Sequence, residues 1–160
     1  MNLAYRIAYI VLRPITALLY PQSQTGRENI PDGPCVVCAN HSNYIDAVLV
    51  AFALGWKNFV HFLAKKELFH IPFFGWFLRR VQAVSIDRGK NNLDGVRASM
   101  KYLKRGEKLL IFPEGTRVSE DDAVAAKSGA VRMAAKLGVP ILPVFVPRNK
   151  KIFRKVHIRI

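Results

Sequence analysis

Apolar and polar positions fall into blocks along this chain, and the period of the pattern changes from block to block. Pro34-Cys35-Val36-Val37-Cys38 is a short continuous apolar run of the kind a buried strand needs, and Ile45 to Leu54 is apolar for long enough to be a helix. Val60-His61-Phe62-Leu63-Ala64 predicts a second strand, and Ala83 to Ile86 a third that ends at Asp87-Arg88. Leu93, Val96, Met100 and Leu103 recur at helical spacing, with Arg97, Lys101 and Lys104 on another face, and Gly106 stops that helix. Lys108 to Phe112 predicts a fourth strand, Lys127 to Leu137 a helix and Ile141 to Val146 a fifth strand. The alternating stretch Val156 to Ile160 predicts a sixth. Ile71 to Val81 holds Phe73, Phe74, Trp76, Phe77, Arg79 and Arg80, an aromatic run edged with positive charge. Strands alternating with helices imply an α/β fold, a single-layer mixed or mostly parallel sheet flanked by helices.

The first twenty residues follow a different pattern. Met1 to Tyr20 is rich in Leu, Ile and aromatics, with Arg6 and Arg13 on one helical face. As a helix it would be about 30 Å long. Arg6, Arg13 and Pro14 leave no uninterrupted span near the ~18–20 apolar residues of a transmembrane helix, and a central arginine costs at least ~2.5 kcal/mol on insertion. No small-residue cleavage site follows a clean apolar region, so the stretch does not read as a secretory signal. It reads as an amphipathic helix lying in a membrane interface, with Tyr5, Tyr9 and Tyr20 at headgroup depth and the arginines snorkelling. The alternative is a helix that packs on the domain. Pro21 to Pro34 is polar and turn-rich and leads into the globular part. The chain therefore divides into a membrane-associated helix with its linker over 1–24 and one domain over 25–160.

Composition narrows the partners. At 160 residues the chain is long enough for one sizeable core. A net charge of +14 draws it to polyanions: nucleic acid, anionic lipid headgroups, or phosphorylated substrates and carriers. The fingerprint of a common nucleic-acid-binding fold is missing, so no nucleic acid is expected. The two cysteines spell C-x-x-C at Cys35 and Cys38, but no second Cys or His pair stands at zinc-ligand spacing, and no metal is expected. Three apart on a strand, they point to opposite faces and read as small buried apolar residues in a reducing compartment.

The candidate chemistry begins at Ala39-Asn40-His41-Ser42-Asn43-Tyr44-Ile45-Asp46, a strand-to-helix junction. Residues five apart on one helix are separated by roughly 140°, so His41 reaches Asp46 only if the chain turns between them. Ser42 or Asn43 is the natural cap for that turn. A cap at Asn43 puts Asp46 where the helix dipole favours its ionised form. An ionised carboxylate beside an imidazole holds the tautomer and supports the imidazolium, which is the geometry of a general base. The plainer reading is a His-Asp pair that tidies a loop. By the strand assignment, His41, Arg88 and Glu114 all lie at carboxyl ends of strands, where α/β sheets form their sites.

Four blocks taken together resemble the glycerolipid acyltransferase family, specifically PlsC-type 1-acylglycerol-3-phosphate acyltransferases. They are Asn40 to Asp46 (NHxxxxD); Gly75-Trp76-Phe77 with Val84-Ser85-Ile86-Asp87-Arg88; Phe112-Pro113-Glu114-Gly115-Thr116-Arg117; and Gly138-Val139-Pro140-Ile141-Leu142-Pro143-Val144. The resemblance spans about residues 25 to 160. It implies transfer of a fatty acyl group from a thioester to the free hydroxyl of lysophosphatidic acid, giving phosphatidic acid, with His41 as base and Asp46 orienting it. It assigns the block Glu114, Gly115, Thr116 and Arg117 to acceptor binding, and Arg88 suits the acceptor phosphate. Glu114 is expected to accept a glycerol hydroxyl or to hold Arg117 in place. Phe73, Phe74, Trp76 and Phe77, with Pro140 and Ile141, are candidates for an acyl groove. The donor is acyl-coenzyme A or acyl-acyl carrier protein as co-substrate, with no cofactor, and the partner surface is phospholipid on the cytoplasmic face of a membrane. Glycerol 3-phosphate or another lysophospholipid stays open as acceptor. So do a non-catalytic basic membrane-binding module and a hydrolase using Ser42 or Cys38, although no G-x-S-x-G elbow is present. Family members commonly continue beyond the last strand with a Gly-x-Pro turn and a further segment, whereas this sequence stops at Ile160.

Overall fold

The structure, a computed structural model, describes residues 3–87, 93–118 and 125–160. Five strands form one parallel sheet: β2 (Val36–Ala39), β3 (Val60–Lys65), β4 (Val84–Ile86), β5 (Lys108–Ile111) and β6 (Ile141–Val144), in the spatial order β4-β3-β5-β2-β6. Pro143 is tolerated because β6 is an edge strand. Residue parity along β2 sorts the core into two faces. Cys35, Val37 and Ala39 pack with α2 (Asp46–Leu54), while Val36 and Cys38 pack toward α4 (Leu93–Lys104) and α5 (Gly129–Leu137). The two thiols thus point away from each other across the sheet, and burial pushes both of their pKa values up. Helix α2 is apolar all round and almost wholly buried, as a helix must be when it has no solvent face.

The crossovers from β2 and from β5 leave for opposite faces. The connection β2-α2-β3 runs one way along the sheet and β5-α5-β6 the other, and right-handed crossovers in opposite directions need opposite faces. The order reverses between β5 and β2, so a crevice opens at the carboxyl ends of those two strands.

Two features depart from the sequence expectation, and a third fills a stretch it left unassigned. The sixth strand, β7 (Val156–Arg159), does not join the main sheet. It pairs in parallel with β1 (Gln22–Thr25), a strand inside the polar stretch read as turns. The aromatic run folds as α3 (Phe74–Arg80) behind a 3-10 turn at Lys66–His70. The first helix, α1 (Leu3–Leu19), packs Tyr5 and Tyr9 against the domain rather than setting them at headgroup depth, while Arg6 stays exposed. Tyr5 meets Phe59 edge-on at 4.4 Å, Tyr9 meets Phe52 at 4.8 Å, and Arg6 and Arg13 lie over Trp56 and Phe52. Edge-to-face and cation–π contacts reward that arrangement. It leaves Leu3, Ile7, Ile10, Val11, Ile15 and Leu18 on the outside, each more than half exposed. Among the described residues no helix is long and apolar enough to cross a membrane.

Candidate active site

The crevice is built by three loops that leave β2, β5 and β6. After β2, the Asn40 amide pairs with the backbone of Val146 in both directions, Nδ2–H to the carbonyl at 2.7 Å and the Val146 N–H to Oδ1 at 2.8 Å. The loop after β5 then takes hold of His41. Its N–H donates to Glu114 Oε2 at 2.7 Å, its carbonyl accepts from the Val118 N–H at 2.8 Å, and its ring stacks on Phe112 at 4.0 Å.

His41 Nδ1 faces Asp46 Oδ2 at 3.2 Å. The same oxygen accepts the backbone N–H groups of Ser42 and Asn43, both at 2.7 Å, and Oδ1 forms an ion pair with Lys150 Nζ at 2.8 Å. Asp46 is completely buried. Burial pushes its carboxyl pKa up, but the hydrogen bonds from His41, Lys150, Asn43 and Ser42 outweigh that and hold it below the ordinary value of 3.8. An ionised Asp46 requires the proton on Nδ1 of the neutral ring and leaves Nε2 as the acceptor. Among the described residues, no hydrogen bond engages Nε2. The pair therefore has the geometry a general base needs, with its accepting edge open.

The turn that brings His41 back to Asp46 runs through Asn43. The regular helix starts at Asp46 behind Ile45, and one turn earlier Asn43 Oδ1 accepts the Ile45 N–H at 3.4 Å while Ser42 supplies no such cap. The carboxylate itself gathers the preceding N–H groups, which satisfies donors that a cap would otherwise serve. Ser42 Oγ accepts from Lys150 Nζ at 2.8 Å and makes no hydrogen bond with His41 among the described residues, so no Ser-His nucleophile pair forms.

Glu114 is committed to holding the loop. One oxygen takes the His41 N–H and the other pairs with Arg148 at 3.1 Å, so it holds Arg148 and not Arg117. Arg117 lies 3.9 Å over the Tyr44 ring, and Thr116 is exposed beside it. Gly115 adopts a positive φ of 69°, and a Cβ there would press on the Lys127 side chain at 3.1 Å. Arg88 lies outside the described residues. Arg148 and Lys150 were not anticipated. The signal was present, because Arg148-Asn149-Lys150-Lys151 follows the fifth predicted strand, and the rule about carboxyl ends applies to it equally.

The groove candidates separate into three groups. An apolar cavity of about 290 Å³ lies between α1, α2 and α3, lined by Tyr9, Leu12, Tyr44, Ile45, Phe52, Phe62, Phe74 and Phe77 among others. Phe74 and Phe77 belong to it, whereas Phe73 and Trp76 do not line it and stand 88% and 60% exposed. Pro140 and Ile141 are a correction. They sit at the amino end of β6, level with Val36, while the crevice is at the other end of the strands.

With this geometry in view, comparison with known proteins is decisive. The family model described as "Acyltransferase" matches residues 23–147. The chain belongs to the acyltransferase family. It is 32% identical over 155 residues to the 1-acyl-sn-glycerol-3-phosphate acyltransferase of Bacillus subtilis, covering 94% of this chain and 76% of that one. It is 32% identical over 142 residues to the enzyme of the same name from Pseudomonas aeruginosa, covering 87% and 53%. Similarly named relatives occur in plants and yeast. Among solved structures, the 1-acyl-sn-glycerophosphate acyltransferase PlsC from Thermotoga maritima superposes with a TM-score of 0.75 at 30% identity. That match covers 98% of this chain and 66% of the other, so this member of the family spans one half to three quarters of the length of these three relatives.

Proposed function

We propose that the chain transfers a fatty acyl group from a thioester to the free hydroxyl of 1-acylglycerol 3-phosphate, forming phosphatidic acid in phospholipid biosynthesis. The carrying observation is the His41–Asp46 pair at the sheet's switch point, with Nε2 open and the carboxylate buried and ionised. His41 Nε2 takes the hydroxyl proton as the oxygen attacks the thioester carbonyl. The tetrahedral oxyanion collapses, the C–S bond breaks, and the departing thiolate recovers the proton from the imidazolium. A thioester is already activated, so the reading needs no enzyme nucleophile and no cofactor. The acyl chain of the lipid would occupy the cavity beside Tyr44 and Ile45, which join the catalytic loop to the apolar lining. Arg117 over Tyr44 makes no ion pair among the described residues, and its fork is suited to the acceptor phosphate.

The outward apolar stripe of α1 and the +14 charge support seating on an anionic membrane surface, where lipid substrate and product reside. The reading places the protein on the cytoplasmic face, consistent with free thiols at Cys35 and Cys38.

The test is transfer of a labelled acyl group to lysophosphatidic acid in liposomes, from acyl-coenzyme A and from acyl-acyl carrier protein in parallel. His41→Ala should lower turnover by ~10²–10⁴-fold. A folded His41→Ala protein that turns over like wild type would remove His41 from the chemistry. Turnover of glycerol 3-phosphate in place of the lysolipid would reassign the acceptor.

A further inference from the structure

Lys150 is the inner end of a segment whose outer end faces solvent. Residues Lys151, Ile152, Phe153, Arg154 and Lys155 are all exposed, Ile152 by 54% and Phe153 by 68%. The turn closes on itself through the Arg154 N–H to the Lys151 carbonyl. It is fastened to the last turn of α1 by the Phe153 N–H, which donates to the Leu19 carbonyl at 2.6 Å.

We propose that this turn is a second lipid-contact element, seating the protein on an anionic bilayer together with the outer stripe of α1. The inference rests on the membrane reading above and adds to it where the contact is made. Three observations carry it. The apolar tip is tethered to the end of α1 at Leu19, the residue next to Leu18, which is 68% exposed at the end of the outer stripe. The tip is surrounded by Lys151, Arg154 and Lys155, none of which pairs with an acidic side chain among the described residues. The backbone at Phe153 has a φ of 62°, a region glycine enters freely and an aromatic residue enters at a cost. A large aromatic side chain in that backbone, exposed to water, gains nothing from the water. In a bilayer the same arrangement is favourable: the ring and Ile152 enter the boundary of the acyl region, and the three cations meet phosphate headgroups. A nucleic acid would satisfy the cations but has no place for the aliphatic stripe that adjoins them.

The experiment uses the full chain and flotation with phosphatidylcholine vesicles, with and without phosphatidylglycerol. Phe153→Gly keeps a backbone that suits glycine, so its thermal stability should equal or exceed wild type while the wedge is lost. The triple variant Lys151→Ser, Arg154→Ser, Lys155→Ser removes the cations. At roughly fivefold in affinity per basic residue near an anionic leaflet, the triple variant should lose at least about tenfold on phosphatidylglycerol vesicles. Phe153→Gly should lose several-fold on both vesicle types. Wild type that floats while both variants float equally well would overturn the inference and leave the membrane reading standing on α1. A loss in the triple variant without a loss in Phe153→Gly would make the turn a purely electrostatic contact and overturn the wedge. Wild type that floats with neither vesicle would overturn the membrane reading and this inference with it.

Discussion

Asp46 is the residue on which the loop carrying His41 depends, because it is fully buried and still carries a charge. Lys150 is what makes that tolerable, since its own side chain is 1% exposed and its ammonium lies 2.8 Å from Oδ1. Removing one partner of such a pair leaves the other unpaired in a low dielectric, at about 3–5 kcal/mol. Lys150→Met should therefore lower the urea midpoint by that order at neutral pH. It should also change the response to acid. A carboxyl held below its ordinary pKa contributes stability above the unfolded value, and this is lost as pH falls through the folded value. For Asp46 that window lies below about pH 4. Without Lys150 the folded pKa rises, so acid unfolding, followed by circular dichroism, should move to higher pH. An unchanged acid midpoint would uncouple Lys150 from Asp46. At this scale the spacing of His41 and Asp46 was legible, and so was the presence of Glu114. Its partner was not. Arg117 is three residues away and Arg148 comes from the far side of β2, and only the strand order decides between them.

Among the elements, α3 is held close against its neighbour. A Cβ at Gly75 would run into the Phe69 carbonyl, which also accepts both terminal nitrogens of Arg79 at 3.0 Å. Gly75→Ala should push α3 off the Lys66–His70 turn and cost about 1–3 kcal/mol. Phe74 and Phe77 line the apolar cavity, so the same shift should raise KM for a long-chain lysolipid more than it lowers kcat. A Gly75→Ala enzyme with unaltered melting and KM would disprove that close approach. The five main strands were readable because each is an apolar run bounded by turn residues. β1 was not, since Gln22-Ser23-Gln24-Thr25 has no apolar face of its own. It is held by backbone pairing to β7 and by Ser23 and Thr25 side chains that meet His157. The orientation of α1 was also out of reach, because Arg and Tyr serve an interface and an aromatic core equally well.

For the molecule as a whole, 25 basic against 11 acidic residues make membrane attraction a matter of ionic strength. The Debye length shrinks from ~10 Å at 0.1 M salt to ~3 Å at 1 M. Binding to phosphatidylglycerol vesicles should weaken steeply across that range yet leave a part that salt does not remove, contributed by the apolar stripe of α1 and the tip at Phe153. Replacing Ile7 and Ile10, both exposed, with Ser should reduce that salt-resistant part and spare the salt-sensitive one. Binding that disappears entirely with salt in the unaltered protein would reassign the contact to charge alone.

Lys150 lies 108 positions after Ser42, which it also contacts. That separation has a consequence in time. A polypeptide emerging from the ribosome finishes the His41–Asp46 loop early, but its counter-ion arrives only after the crossover to β6. Contacts so distant in sequence form late and slowly. Until then, a carboxylate destined for the interior must stay hydrated, and the loop that presents His41 cannot settle. A nascent chain could carry every residue of the acyltransferase blocks and still hold no aligned base. The segment that follows β6 would thus decide when the site first becomes aligned, and a premature stop just ahead of Pro147 would be silent in the motifs but ruinous to the site.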